Sequence, residues 1–419
     1  MLLIHMLPVF AFANDVSPHF FPKRSTHFNK NIDRVLQGFA FLLGIAIPVS
    51  TALQNITILL TPLVVLLVPL LREKLHDAWR TPVGRAALIF FALIILGCTW
   101  SIAAMPDRLN TVIKLRWLIL LPFLVAFFSL RNLAVSGALG FVGGVVISAL
   151  LSIFCAATGW VIMAANQGDW SVFRTHSYHN YFIALVLYGL SFFLVRKDLT
   201  RGWASLVILV MLVLLFDAFF LVQGRTGHVA IFALLTLFAV QKFYWRGLVI
   251  VSVALLIAYP VLKHLPTFES GIERGRQDIS QYKQGHTDTS LGLRLEFYKN
   301  SWALIKHKPW LGYGTGAFPQ AYRDLTGFTV GNRAADNPHN DYLQMMVELG
   351  LPGLAALLAL LFATLRQARE FAATQQWLVH GLLFSMAIAA LANSFFTDNV
   401  TSAGFIVLLG VVLANFKRE

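Results

Sequence analysis

Residues 337–353, NPHNDYLQMMVELGLPG, place a histidine, three amides and two acids directly ahead of and within an apolar run. An imidazole is the side chain best suited to move a proton near neutral pH. Asn337 is a good helix N-cap and Pro338 a good first helical residue, so His339 is expected in the first turn. Free backbone N–H groups and the positive end of the helix dipole meet there. That field disfavours imidazolium and leaves a neutral ring able to accept a proton. An interfacial histidine making only a structural hydrogen bond is the alternative account. Asp341 and Glu348, seven apart, share another face of the same helix. Gly350 and Gly353 would let a neighbouring helix approach closely where the span enters the bilayer.

Chemistry on an anion would need cations. QGRTGH, residues 223–228, joins two long apolar runs. Gly224 and Gly227 suffice for a polar turn, whereas Arg225 adds a planar guanidinium that matches phosphate oxygens in bidentate fashion. Arg294 lies in DTSLGLRLEFYKNSWALIKHKP, which reads as a helix capped by Ser290 or a neighbour and closed by Pro309. Leu291, Leu295, Tyr298, Trp302 and Ile305 form its expected apolar stripe, with Arg294 off it. GYGTGAF, residues 312–318, contains GxGxG but lacks the preceding strand and following lysine of a P-loop. It reads as a loop passing close to other backbone. His176 and His179 are three apart, yet no third metal ligand converges with them, and packing accounts for both.

The elements that must hold these residues are set by composition. The chain has 419 residues, 57% hydrophobic and 13% charged, with a mean hydropathy of +0.69. Long uncharged runs without alternation imply an all-α polytopic membrane protein of about twelve transmembrane helices. The expected organisation is a cytoplasmic or interfacial N-terminus at 1–33 and helices one to nine over 34–262. A long, partly helical periplasmic loop at 263–340, helices ten to twelve over 341–416 and a cytoplasmic tail at 417–419 follow. The start resembles a signal peptide but lacks a basic n-region, and Lys23, Arg24, Lys30 and Arg34 come after it. The net charge of +13 is assigned to basic cytoplasmic loops and anionic lipid, not to nucleic acid. Cys98 and Cys155 fall inside apolar runs and are expected as reduced thiols.

With both ends cytoplasmic, the short outer connections should be poor in cations. Instead they carry Arg108, Lys114, Arg116, Arg174 and Arg225. Cations that defy the topology rule at membrane depth are candidates for an anion site.

His339-Asn340, nine residues, then Gly350-Leu351-Pro352-Gly353 resembles the H-N-x9-G-x-x-G signature of the bacterial O-antigen ligases, the WaaL family. RLEFYKNSWALIKHKPWLGYGTGAF and QGRTG are similar to the blocks that precede that signature in the wider ligase and polymerase superfamily. The resemblance covers roughly residues 220–365. It implies an inner-membrane glycosyltransferase that acts at the periplasmic face, without nucleotide, metal or other cofactor, and inverts the anomeric centre. The implied donor is O-antigen polysaccharide on undecaprenyl diphosphate, and the implied acceptor is the outer-core sugar of lipid A-core. By the same resemblance, Arg225 and Arg294 bind the diphosphate and His339 is the essential histidine. Lys114, Arg116, Arg174, Asn340, Asp341 and Tyr298 are the further substrate-binding candidates.

These residues are expected to converge in a cavity between the outer loop and the span mouths. An O-antigen polymerase is the nearest alternative, though a single long outer loop favours the ligase. A protein-glycosylating ligase is a further one, although those often carry an added C-terminal domain and this chain stops just after its last span. A transporter for an anionic lipid is the alternative from another class, but polar groups gathered at one face favour an enzyme.

Overall fold

The computed structural model describes residues 30–162, 169–196, 199–222, 224–264, 266–327 and 336–414. Within that set the side chains at 225, 226, 261, 262, 266–268 and 270 are left undescribed, and the N-terminal reading of 1–33 lies almost wholly outside it. Every regular element among the described residues is helical. The first four helices are α1 (Lys30–Val49), α2 (Thr51–Leu67), α3 (Pro69–Arg80) and α4 (Pro82–Gly97). Next come α5 (Met105–Lys114), α6 (Trp117–Phe127), α7 (Arg131–Thr158) and α8 (His176–Leu194). Helix α9 (Arg201–Phe216) runs into a π turn at Asp217–Leu221, and α10 (Arg225–Phe243) and α11 (Trp245–Leu262) follow. The segment after α11 folds as α12 (Pro266–Lys283), α13 (Ser290–His307) and α14 (Phe318–Thr326). The chain then returns to the bundle through α15 (Asp341–Ala368), α16 (Ala373–Ala392) and α17 (Asn399–Val412).

The long apolar runs among the described residues fall on helices, but not every such helix has the reach of a span. Among the described residues six are long and apolar enough to cross a membrane: Lys30–Val49, Met105–Phe127, Arg131–Thr158, Arg201–Leu221, Asp341–Ala368 and Ala373–Ala392. A seventh is possible if α2 and α3, bent by 108° at their junction, form one broken span. At 1.5 Å per residue the 14 residues of α17 rise only about 21 Å, against a hydrocarbon core of about 30 Å. The apolar helices Pro82–Gly97, Gly227–Phe243 and Trp245–Pro260 are likewise short of the length test. The bend itself follows from Pro69 at the start of α3: it cannot continue the preceding helix, and Val68 before it is extended. Helix α3 then buries Leu71, Leu75 and Ala78 and exposes its charged face.

Two clusters of buried side chains organise the molecule. The larger runs through the bundle and includes Trp117, stacked on Phe396 at 5.9 Å, and Tyr181 against Phe395 at 4.9 Å. The smaller joins Phe297, Leu304 and Ile305 of α13 to Phe318, Ala321 and Tyr322 of α14 and Val347 of α15. Burying each large side chain of this kind stabilises by roughly 1.5–3 kcal/mol. That cluster fixes α13 on α15.

The expected stripe on α13 is out of phase with the observed one. Leu295 and Trp302 are exposed, and the buried face is Phe297, Ser301, Leu304 and Ile305. Arg294 precedes that face by three residues and is half-buried, rather than lying off the packed side. The cap is Thr289, whose hydroxyl accepts from the Gly292 N–H at 3.1 Å.

Candidate active site

Two backbone features set the site. Helix α15 is interrupted at Gly350, where φ is 65° and ψ is −154°, a conformation open in practice only to glycine. A Cβ there would sit 2.3 Å from the carbonyl oxygen of Trp310. The GYGTG loop packs into this interruption. Tyr313 N–H donates to the Val347 carbonyl at 2.9 Å, Gly314 N–H to that of Glu348 at 2.7 Å, and Leu351 N–H to that of Pro309 at 3.0 Å. On its other side the loop meets the turn between α4 and α5, where a Cβ at Gly314 would lie 2.1 Å from Ser101 Cα. The loop is thus a backbone wedge between the α4–α5 turn and the interruption in α15, in line with the close approach expected of it.

Beside this wedge lies a cavity of about 530 Å³. Asp107, Asn110, Thr111 and Lys114 of α5 line one side, with Tyr178 of α8. Asp336, Asn337, His339, Gln344 and Glu348 line another, and Asn393, Ser394, Thr397, Asp398 and Asn399 a third.

His339 does not occupy the first helical turn. Helix α15 begins at Asp341 with Asn340 as its cap, the Asn340 Oδ1 accepting from Leu343 N–H at 3.0 Å. His339 precedes the helix at φ +50°, a left-handed conformation uncommon outside glycine. Asn337 holds it there: its Oδ1 accepts from the His339 N–H at 2.9 Å and from the Ser394 hydroxyl at 2.7 Å. The neutral ring therefore has another origin than the helix dipole. Burial pushes the imidazole pKa down, and the positive charge of Arg294 pushes it the same way, against a raising contribution from Asn393.

The tautomer is set as well. Asn393 Oδ1 accepts from the Ser394 N–H at 3.0 Å, which identifies that atom as oxygen. It lies 3.2 Å from His339 Nδ1. The proton must then sit on Nδ1, leaving the Nε2 lone pair to accept another.

Several expected substrate contacts are engaged elsewhere. Asn340 Nδ2 and the Tyr298 hydroxyl both donate to the Leu391 carbonyl, at 3.0 and 2.7 Å. They tie the end of α16 to α13 and α15. Asp341 is fully buried; its carboxylate accepts from Phe396 N–H at 2.8 Å, Thr397 N–H at 3.2 Å and the Thr397 hydroxyl at 2.9 Å. It shapes the 393–399 turn and is absent from the cavity lining. Arg174 is buried and closes the C-terminal end of α1, donating to the Ile47 carbonyl, the Thr51 hydroxyl and Gln54 Oε1. Burial lowers its pKa to about 10. Arg116 binds Asn55 Oδ1 at 2.8 Å and Asn399 Oδ1 at 3.1 Å. Arg108 donates to the Cys98, Ser101 and Ala103 carbonyls. A guanidinium carries five donors and satisfies the orphan carbonyls of helix ends and turns, so these three need no bound anion to account for them.

Lys114 does line the cavity, and Arg294 bears electrostatically on His339 and Tyr298. The Arg225 side chain lies outside the described residues, and its backbone opens α10. The first turn of α10 packs on α8, where a Cβ at Gly227 would meet Asn180 at 2.1 Å. His176 and His179 pair with carboxylates instead of lining the cavity, Nδ1 with Asp169 at 3.0 Å and Nε2 with Asp217 at 2.6 Å. Tyr178 between them reaches the wall.

Sequence reasoning missed Asp107, Asn393, Asp398 and Asn399. The signal was available in NSFFTDN, residues 393–399, a polar interruption between two apolar runs.

Comparison with known proteins adds a family. Over 187 residues the chain is 25% identical to an uncharacterized protein of Haemophilus influenzae, an alignment that covers 42% of this chain and 45% of that protein. Residues 210–358 match the family model described as O-antigen ligase. That stretch holds the π turn, the start of α10, the loop helices, His339 and the kink at Gly350, and over it the chain is similar to the O-antigen ligase family.

Proposed function

We propose that this protein is an O-antigen ligase of a bacterial inner membrane, acting at the periplasmic face. In this reading it transfers O-antigen polysaccharide from undecaprenyl diphosphate to the outer-core sugar of lipid A-core. The observation that carries the reading is the His339 site: a neutral imidazole with its proton on Nδ1, at the wall of a cavity and under the field of Arg294. The acceptor hydroxyl oxygen attacks the anomeric carbon of the donor. Its proton passes to His339 Nε2, and the bond from that carbon to the diphosphate oxygen breaks, with the electron pair leaving on the diphosphate. Arg294, with Arg225, stabilises the charge that develops on the leaving group. The superfamily match supports lipid-linked polysaccharide as the substrate class.

The test is complementation of a ligase-null Gram-negative strain that displays the matching core, read as lipopolysaccharide ladders on a gel. Restored ladders are expected. Long chains accumulating on the carrier instead would make the protein a polymerase, and no change in either product would overturn the reading.

A further inference from the structure

The charge of the cavity differs from that of its surroundings. Its wall carries the carboxylates of Asp107, Asp336, Glu348 and Asp398, while Lys114 is the one lysine or arginine among the described lining residues. Part of this acidity is engaged by the fold. Glu348 accepts from Gly316 N–H at 2.9 Å and from Gln344 at 3.2 Å, and Asp398 Oδ1 caps α17. Asp107 and Asp336 are exposed, and their carboxylates make no hydrogen bond or ion pair among the described residues. A pyrophosphate would meet net repulsion at such a wall. A sugar hydroxyl would not, because it donates to carboxylates and both donates to and accepts from amides. The volume of about 530 Å³ falls within the ~300–1,000 Å³ of small-molecule sites.

Building on the reading above, we infer that this cavity is the sugar subsite beside His339 and that it selects by charge. It accepts an uncharged or amine-bearing sugar and rejects one that carries a carboxylate or phosphate. The anionic leaving group then lies towards Arg294, outside the acidic wall.

The test uses the full chain in nanodiscs and saturation-transfer NMR at low salt with glucose, glucosamine and glucuronic acid as probes. Glucose and glucosamine are expected to bind, with glucuronic acid weaker by about tenfold or more. The isosteric double variant Asp107→Asn/Asp336→Asn should narrow that gap, and so should high salt. Equal binding of glucuronic acid and glucose, no binding of any probe, or a gap untouched in the double variant would each overturn the inference. The two readings fail separately. Restored ladders with indiscriminate sugar binding sink the charge selection alone, whereas selective sugar binding without ladders sinks the ligase assignment.

Discussion

The two sides of the cavity are built differently. On the side of α13 and the approach to α15, Arg294 bears electrostatically on His339, which shares the wall with Asp336 and Glu348, and all four fall within the stretch that matches the family model. On the side of α5 and the 393–399 turn, the wall is Asp107, Asp398, amides and hydroxyls with Lys114 among them, and none of it falls within that stretch. The contrast separates two tasks. A leaving diphosphate needs preorganised positive charge whatever sugar it carries. An incoming sugar needs hydrogen-bond partners arranged for its own hydroxyls, and these can differ between relatives that share the chemistry.

Substitutions can break this comparison. The largest effect is expected for His339→Ala, since a general base contributes roughly 10²–10⁴-fold; ladders should vanish while membrane insertion, checked by immunoblot, persists. Arg294→Ala should cost about 10²–10³-fold in transfer rate, as for other preorganised donors, and Arg294→Lys should restore part of it.

The pH profile sharpens the contrast. On the proposed mechanism transfer needs neutral His339, so the rate should fall as pH drops through its pKa, which burial and Arg294 hold below the usual value of 6.5. Asn393→Asp adds a negative charge beside Nδ1 and should move the acid limb to higher pH, by on the order of one unit. Asn393→Ala removes the tautomer constraint and should lower kcat more than it raises KM.

Smaller effects should be purely structural. Gly350→Ala meets both a glycine-only backbone and the Trp310 carbonyl, and should destabilise by about 1–3 kcal/mol from the backbone alone, read as a lower Tm in nanodiscs. Arg174→Ala leaves buried carbonyls of α1 without donors, a loss of about 1–3 kcal/mol, with little change in the rate of the molecules that remain folded.

Much of this was readable in the residues. Helical elements followed from uninterrupted apolar runs, and His339 stood out as a polar residue at a helix entry. What sequence could not resolve was phase and occupancy. On α13, large apolar residues lie on more than one side, so two stripes of the same period compete. Trp302 is exposed without contradiction, because an indole tolerates a membrane interface. Arg108, Arg116 and Arg174 broke the expected charge pattern for a local reason, since each satisfies backbone or amide oxygens that only three dimensions reveal. Asn393 and Asp398 were hidden because twenty-residue windows average a short polar turn into its apolar flanks.

The wedge formed by residues 312–316 has a mechanical consequence. It touches Ser101 on one side and the broken turn of α15 on the other through main-chain atoms, so it acts as a spacer whose thickness is set by residue count. Replacing Tyr313 would alter that thickness little, whereas a side chain at Gly312, Gly314 or Gly316 would force the two faces apart. Inserting one residue would shift the histidine's platform against α5 and spoil alignment in a molecule whose every reactive group was still present.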